Sequence, residues 1–310
     1  MVSVFGLDVE SEAPLPFLAG ASAGPTGRRL ELSLQAADAA ALDWPRSARL
    51  VCDERQPNGE AIFSIEAHSE AGFLISGPEY GAFQLSADGR RLQCAPGAVP
   101  RDAWQRLLIA QVLPFAAVLH GLEVLHASAV VTDRGAVACI GPSGTGKTSL
   151  ALELCRRGAA FLADDVLALE LAEESLLAHP GAPVAGLDHA EAARLADTDG
   201  APRYVVLARN ARERIVRMSG AAAPAPLVAL FFLDRRDDVP GEPRFEPTAD
   251  PQLLLAATFN TVLTPPARLR GLLEVCARVA RGRVERVAIG PGVDAAQLAA
   301  AITQRLGGAR

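Results

Sequence analysis

Between an apolar run, Ala136-Val137-Ala138-Cys139-Ile140, and a helix-like run that opens Ser149-Leu150-Ala151-Leu152, the chain reads Gly141-Pro142-Ser143-Gly144-Thr145-Gly146-Lys147-Thr148. This matches the phosphate-loop pattern G-x-x-x-x-G-K-[ST]. Few architectures suit that order, since a buried strand must deliver the chain to a glycine-rich turn and the turn must open a helix, here one that stops at Gly158. A loop so placed offers unpaired backbone N–H groups and the positive end of a helix dipole to a polyphosphate. Lys147 would reach the β and γ phosphates, and the Thr148 hydroxyl would sit on Mg²⁺. Ser149 closes the candidate binding run, 141–149. The alternative is an ordinary glycine-rich turn, which the complete pattern in its strand-to-helix setting disfavours. The loop alone does not give the reaction, because hydrolases, switches and kinases share it.

The chain has 310 residues, enough for one large domain or two smaller ones, and a net charge of −6. That charge leaves no basic footprint for nucleic acid or an anionic membrane. The arginines from Arg209 to Arg217 are mixed with Glu213 and read as a solvated face or a local phosphate contact. The apolar runs Leu107–Leu119 and Ala221–Leu233 each contain Pro and fall short of the roughly 20 residues a membrane helix needs. Five scattered cysteines, Cys52, Cys94, Cys139, Cys155 and Cys276, form no C-x-x-C pair. They point to a reducing compartment, and Cys139 and Cys155, at core positions of the nucleotide unit, read as small buried side chains rather than redox or metal groups. Residues 1–12 carry acids and no Lys or Arg, which is not a secretory signal. The expectation is a cytoplasmic protein.

Three regions are expected. Residues 1–98 alternate short apolar segments with Gly and Pro turns, as antiparallel hairpins do; residues 99–122 hold a connecting helix, from about Asp102 to Leu119, kinked at Pro114. Residues 123–310 read as an α/β unit: strands Val124–Val131 and Ala136–Ile140, the loop and its helix, then a strand Phe161–Glu170. Further strands are expected near Arg203–Leu207, Arg214–Met218 and Leu227–Leu233, the last after an Ala/Pro linker, 221–226. The tail is expected to hold helices around Pro251–Asn260, Pro266–Arg281 and Asp294–Leu306, with a strand Val284–Ile289.

Asp164 and Asp165 follow Lys147 by 17 and 18 residues, at the mouth of the strand that returns to the loop edge of the sheet. One acid beside Mg²⁺ is common to such sites, and a second is then free to accept a proton from a hydroxyl. The competing reading makes Asp164 a turn former with only Asp165 near the metal. His126 lies 21 residues before Lys147, on the strand expected beside the one that feeds the loop. It is either a core histidine or a group that approaches the γ phosphate. His120, before Gly121, reads as a polar helix terminus.

Leu125-His126-Ala127-Ser128, the loop through Leu154, Arg157-Gly158-Ala159, and Leu162-Ala163-Asp164-Asp165-Val166, taken in order, resemble the catalytic domain of HPr kinase/phosphorylase. The resemblance covers about 45 residues closely. It implies a phosphate-loop core of the kind shared with phosphoenolpyruvate carboxykinase, with a β-rich N-terminal region added. It also implies ATP- and Mg²⁺-dependent phosphorylation of a serine hydroxyl. In that picture Lys147 and the loop amides neutralise the phosphates, Thr148 and Asp165 hold Mg²⁺, Asp164 helped by Asp165 deprotonates the acceptor, and His126 meets the transferred group; the two Asp roles are open to exchange. The family's E-[IV]-R-G-[LI]-G motif is absent, and residues 179–195 contain nothing like it. The N-terminal β region, opening Val4-Phe5-Gly6-Leu7 and Ala13-Pro14-Leu15-Pro16, is also similar to shorter HPr-kinase-like proteins of unassigned substrate, some of which accompany peptide-modification pathways. The acceptor expected is an unidentified peptide or small protein, with residues 1–98 either its docking surface or a region that covers apolar surface or mediates self-association, and with a homo-oligomer left open. A small-molecule kinase and a nucleotide-dependent binding module are the alternatives.

Overall fold

The computed structural model describes residues 1–21, 24–35, 42–97, 103–173, 175–196, 204–209, 213–220, 223–239, 241–259, 262–263 and 265–307. It is a mixed α/β fold built on large sheets. The first sheet has eight strands: β1 (Val2–Val4), β2 (Leu7–Ser11), β3 (Arg29–Leu34), β4 (Arg49–Arg55), β5 (Ala61–His68), β6 (Gly72–Gly77), β7 (Gly81–Leu85) and β8 (Arg91–Ala95). β4 to β8 form an antiparallel meander. The expectation of antiparallel hairpins throughout is corrected at β3, which runs parallel to both β2 and β8.

Next come α1 (Ala103–Leu107), one turn of π-helix (Leu108–Val112) and α2 (Leu113–Leu119). Pro114 does not simply kink a helix: the preceding turn widens, so that Leu113 N–H donates to the Leu108 carbonyl five residues back, a way of accommodating a residue that lacks the N–H and crowds the carbonyl behind it. Arg101 and Asp102 lie outside the described residues. His120 ends α2 as expected, with Nε2 3.0 Å from the Gly89 carbonyl.

The strands that follow are β9 (Glu123–Leu125), β10 (Ser128–Thr132), β11 (Gly135–Ile140), β12 (Ala160–Ala163), β13 (Leu167–Leu171), β14 (Leu176–His179), β15 (Val184–Asp188), β16 (Tyr204–Arg209), β17 (Glu213–Met218), β18 (Ala225–Arg235), β19 (Arg244–Pro247) and β20 (Arg283–Ile289). Their helices are α3 (Lys147–Arg156), α4 (His189–Ala196), α5 (Pro251–Ala256), α6 (Pro266–Arg281) and α7 (Ala295–Gly307). The second sheet runs β12-β10-β11-β18-β14-β13-β9, with β20 beside β18 and β19 beside β20; β15-β17-β16 form a third. Arg203, residues 210–212, 221–222 and Asn260 lie outside the described residues, and the stretch read as linker is already strand at Ala225.

β11 is apolar at every position because both of its faces are covered. Val137 and Cys139 pack with Leu150 and Leu154 of α3 and Ile302 of α7, while Ala138 and Ile140 pack with Leu272 and Val275 of α6. Each such Leu or Phe contributes about 1.5–3 kcal/mol by leaving water. β11 and β18 are parallel, so the loop after β11 lies at their carboxyl ends, where open α/β sheets bind ligands. A further apolar cluster joins Val4, Leu7 and Phe83 of the first sheet, through Leu108 and Phe115, to Val124 and Val166 of the second.

Candidate functional site

The loop is built by its glycines. Gly144 and Gly146 sit at φ +81° and +93°, where a side chain would be strained, and Gly146 enters α3 without any side-chain cap. The first turn of α3 contains no acid, so its orphan N–H groups keep their positive character. Thr145 Oγ1 donates to the Pro142 carbonyl at 2.8 Å and pins the turn from inside. Arg235, at the end of β18, braces it from outside by donating to the Thr145 carbonyl at 3.2 Å. Lys147 Nζ donates to the carbonyls of Gly141 (2.8 Å) and Pro142 (3.3 Å).

The sequence expectation of unbroken strands at Val124–Val131 and Phe161–Glu170 is corrected here, and the correction organises the site. β10 pairs with β12 as far as Ala129↔Ala163, and β9 resumes with β13 at Leu125↔Leu167 in the same register. Between the two ladders His126, Ala127 and Ser128 face Asp164, Asp165 and Val166 without pairing as β-structure. Two contacts hold the gap open. His126 N–H donates instead to the Ala257 carbonyl, 2.8 Å away beyond α5. On the other strand Val166 N–H closes a three-residue turn on the Asp164 carbonyl (2.8 Å), with Asp165 at its apex at φ +65°, the strained hand of a γ-turn.

That turn sends adjacent acids into different surroundings. Asp164 points to the floor of the cavity, where Oδ1 accepts from Ser128 Oγ (2.6 Å) and Thr148 Oγ1 (2.9 Å) and Oδ2 faces Gly186 N–H at 3.4 Å. Burial pushes its carboxyl up to about 6; the Ser128 hydroxyl opposes the rise, the Asp165 charge adds to it, and the Thr148 hydroxyl and Gly186 amide oppose it more weakly. Asp165 is 68% exposed and stands beside His126, with Oδ1 3.9 Å from Nδ1. The same nitrogen is 3.3 Å from the Asp165 carbonyl, and the imidazole packs against Phe259. Thr148, expected to share a metal with Asp165, is thus hydrogen-bonded to Asp164.

Several groups at the site were not anticipated. In the sequence Ser128 stands out only as part of the Leu125–Ser128 motif. Gly186 and Glu191 arrive on β15 and α4, in a stretch read only for a motif it lacks, and Glu191 accepts from Ser149 Oγ at 2.7 Å. The signal for α4 was present: Asp188-His189-Ala190-Glu191 is a capping pattern, and Asp188 accepts from Glu191 N–H at 2.8 Å. One cavity of about 1230 Å³ joins the loop, both acids and His126 to Ile62, Phe63 and Tyr80 of the first sheet. Among the described residues no group of three or more His, Cys, Asp or Glu could hold a metal, and no helix is long and apolar enough to cross a membrane. All five cysteines are free; burial lifts Cys139 and Cys155 to about 12 and leaves them inert.

No protein-family model and no curated protein matches this chain. Among solved structures it is similar to the HPr(Ser) kinase/phosphatase from Coxiella burnetii, at 15% identity over 59% of this chain and 90% of that one, with a TM-score of 0.32. A likeness at that level adds nothing to the chemistry read from the side chains.

Proposed function

We propose that this chain is an ATP- and Mg²⁺-dependent kinase that moves the γ-phosphoryl group to a serine hydroxyl of a peptide or small protein. What carries the reading is the meeting, in one cavity, of an uncapped helix N-terminus with Lys147, a Thr148–Asp164 oxygen pair, and an exposed acid beside a histidine. The loop amides and Lys147 bind the phosphates. Thr148 and Asp164 offer hard oxygen donors of the kind Mg²⁺ prefers, and with few protein ligands the cation would take the rest from phosphate and water. A cation held by Thr148 and Asp164 would supply neutralisation of the phosphate charge.

The roles first expected of the two acids are exchanged in this reading. Asp164 is engaged with Ser128 and Thr148, whereas Asp165 is open to an incoming hydroxyl and its strained turn holds the carboxylate beside His126. Asp165 takes the hydroxyl proton as the serine oxygen bonds to phosphorus; the bond from phosphorus to the β-phosphate oxygen breaks, and its electron pair stays with ADP. The reach of the cavity to Ile62, Phe63 and Tyr80 favours an acceptor carried on a chain, docked by the first sheet, over free serine.

The test is Lys147→Ala. ADP formation from ATP should be lost and nucleotide affinity should fall, with the unfolding temperature nearly unchanged because among the described residues Lys147 bonds only to loop carbonyls. Turnover equal to the unmodified chain would end the proposal. Incubation with γ-labelled ATP and the products of neighbouring genes then seeks the acceptor.

A further inference from the structure

We propose that Arg286, which belongs to no motif, is the guanidinium that meets the phosphoryl group during transfer; this rests on the kinase reading above. Arg286 lies on β20 in register with Phe232 of β18, which is in register with Ile140, the last residue before the loop. Residues paired across strands share a face, so Arg286 projects on the side of the sheet that carries α5 and α6, where the His126 amide meets Ala257. Two strand spacings, about 10 Å, separate its Cα from that of Ile140, a gap that a long side chain and a phosphate group close together.

The charge pattern gives the position its meaning. Among the described residues three Lys or Arg side chains line the cavity: Arg106, Lys147 and Arg286. Arg106 is tied to Glu213, and Lys147 belongs to the loop. On β20 itself Glu285 draws in Arg283 and Arg305. Arg286 is half-buried and makes no ion pair or side-chain hydrogen bond among the described residues, although Glu246 is its cross-strand partner and Asp234 its diagonal neighbour. A half-buried guanidinium without a partner loses hydration and recovers nothing, unless an anion arrives. Asp164, Asp165, Asp188, Glu191 and Asp234 also line this cavity, so a polyanion entering it needs cationic contacts beyond Lys147. A planar, permanently charged fork suits the spread charge on the three oxygens of a phosphoryl group in flight. The acceptor proton still goes to Asp165.

The full-length chain is tested with Mg²⁺ and ADP, with and without aluminium fluoride as a stand-in for the phosphoryl group, and for hydrolysis of ATP by water. Arg286→Gln should bind ADP as the unmodified chain does, lose most of the affinity that fluoride adds, and hydrolyse ATP roughly 10²-fold more slowly. Arg286→Lys should recover part of both. The unfolding temperature of the glutamine variant should hold or rise, since no ion pair is lost. An unchanged fluoride gain and hydrolysis rate would overturn the proposal, as would a joint loss of ADP affinity and thermal stability, which would make Arg286 structural. An unmodified chain that binds no ADP would sink the kinase reading and this role together, a result distinct from an indifferent Arg286→Gln.

Discussion

Asp164→Asn should make the nucleotide-free protein more stable while abolishing its chemistry. A carboxyl that titrates near 3.8 in the unfolded chain and at about 6 in the folded one pays about 3 kcal/mol for its charge at neutral pH. The amide removes that cost. Its oxygen still accepts from both Ser128 and Thr148, which share Oδ1, but its NH₂ faces Gly186 N–H, and the loss of that long bond returns about 1 kcal/mol. The net gain of about 2 kcal/mol corresponds to a rise of about 3 °C in unfolding temperature for a chain of this length. The sign of the pH dependence follows from the direction of the shift. With its folded pKa raised, Asp164 binds a proton in the native state before the unfolded one does, so its penalty is complete above pH 6 and fades as pH falls toward 3.8. Calorimetric unfolding of both proteins at pH 7.5 and pH 5 should show the lead of the variant shrinking to less than half at the lower pH. A variant that melts at or below the unmodified temperature at pH 7.5, or that keeps its full lead at pH 5, would refute the account of Asp164 as a strained charge.

Asp165→Asn should keep ADP affinity and lower ATP hydrolysis roughly 10²- to 10⁴-fold, as removal of a general base does; loss of ADP binding together with turnover would instead mark Asp165 as the metal ligand. Phe63→Glu should stop phosphorylation of the native acceptor and leave hydrolysis by water intact, and equal loss of both would remove the first sheet from acceptor binding. Deleting that sheet is the poorer experiment, because Val4, Leu7 and Phe83 share one apolar cluster with Val124 and Val166. His179 is buried with Nε2 2.8 Å from Glu170, which also pairs with Arg28. Burial holds the imidazole below its usual 6.5 despite the carboxylate, so its contribution to stability is full above pH 6.5 and is lost as pH falls below it. His179→Gln should therefore flatten the decline in unfolding temperature between pH 6.5 and 5.5, and an unchanged slope would count against this assignment.

Elements whose signals are local were legible in the sequence. β11 is apolar at every position and cannot be mistaken for a half-exposed strand, and α6 repeats its buried residues at Leu272, Val275, Cys276 and Val279, so Pro266–Arg281 is read to the residue. β3 is different: its parallel neighbours are close to β2 in sequence but distant at β8, and an alternating pattern carries no information about which partner a strand will choose. α4 and β15 were legible in part, through the capping pattern at Asp188, but nothing local says that they bring Glu191 to Ser149.

The candidate site escaped sequence reading where it matters most for chemistry. Across Val124–Val131 and Phe161–Glu170 apolar residues resume on either side of His126, Ser128 and the Asp164-Asp165 pair, so the sequence alone predicts two whole strands, with Asp164 and Asp165 related only by adjacency. Adjacent residues in a strand point to opposite faces, and that rule would have sent one acid into the core. The γ-turn replaces the rule with a third outcome. Asp165 takes up a conformation that Asp tolerates better than bulkier residues, and the ladder breaks on both strands at once, because the His126 amide leaves it for Ala257. One carboxylate is then held among hydroxyls beside the loop while the other faces solvent next to an imidazole, and their environments differ enough to set them different tasks. Arg286 lies beyond sequence reading for a related reason: an arginine is recognised as free only once the carboxylates around it are seen to be engaged elsewhere or out of reach, and that is a property of the folded chain.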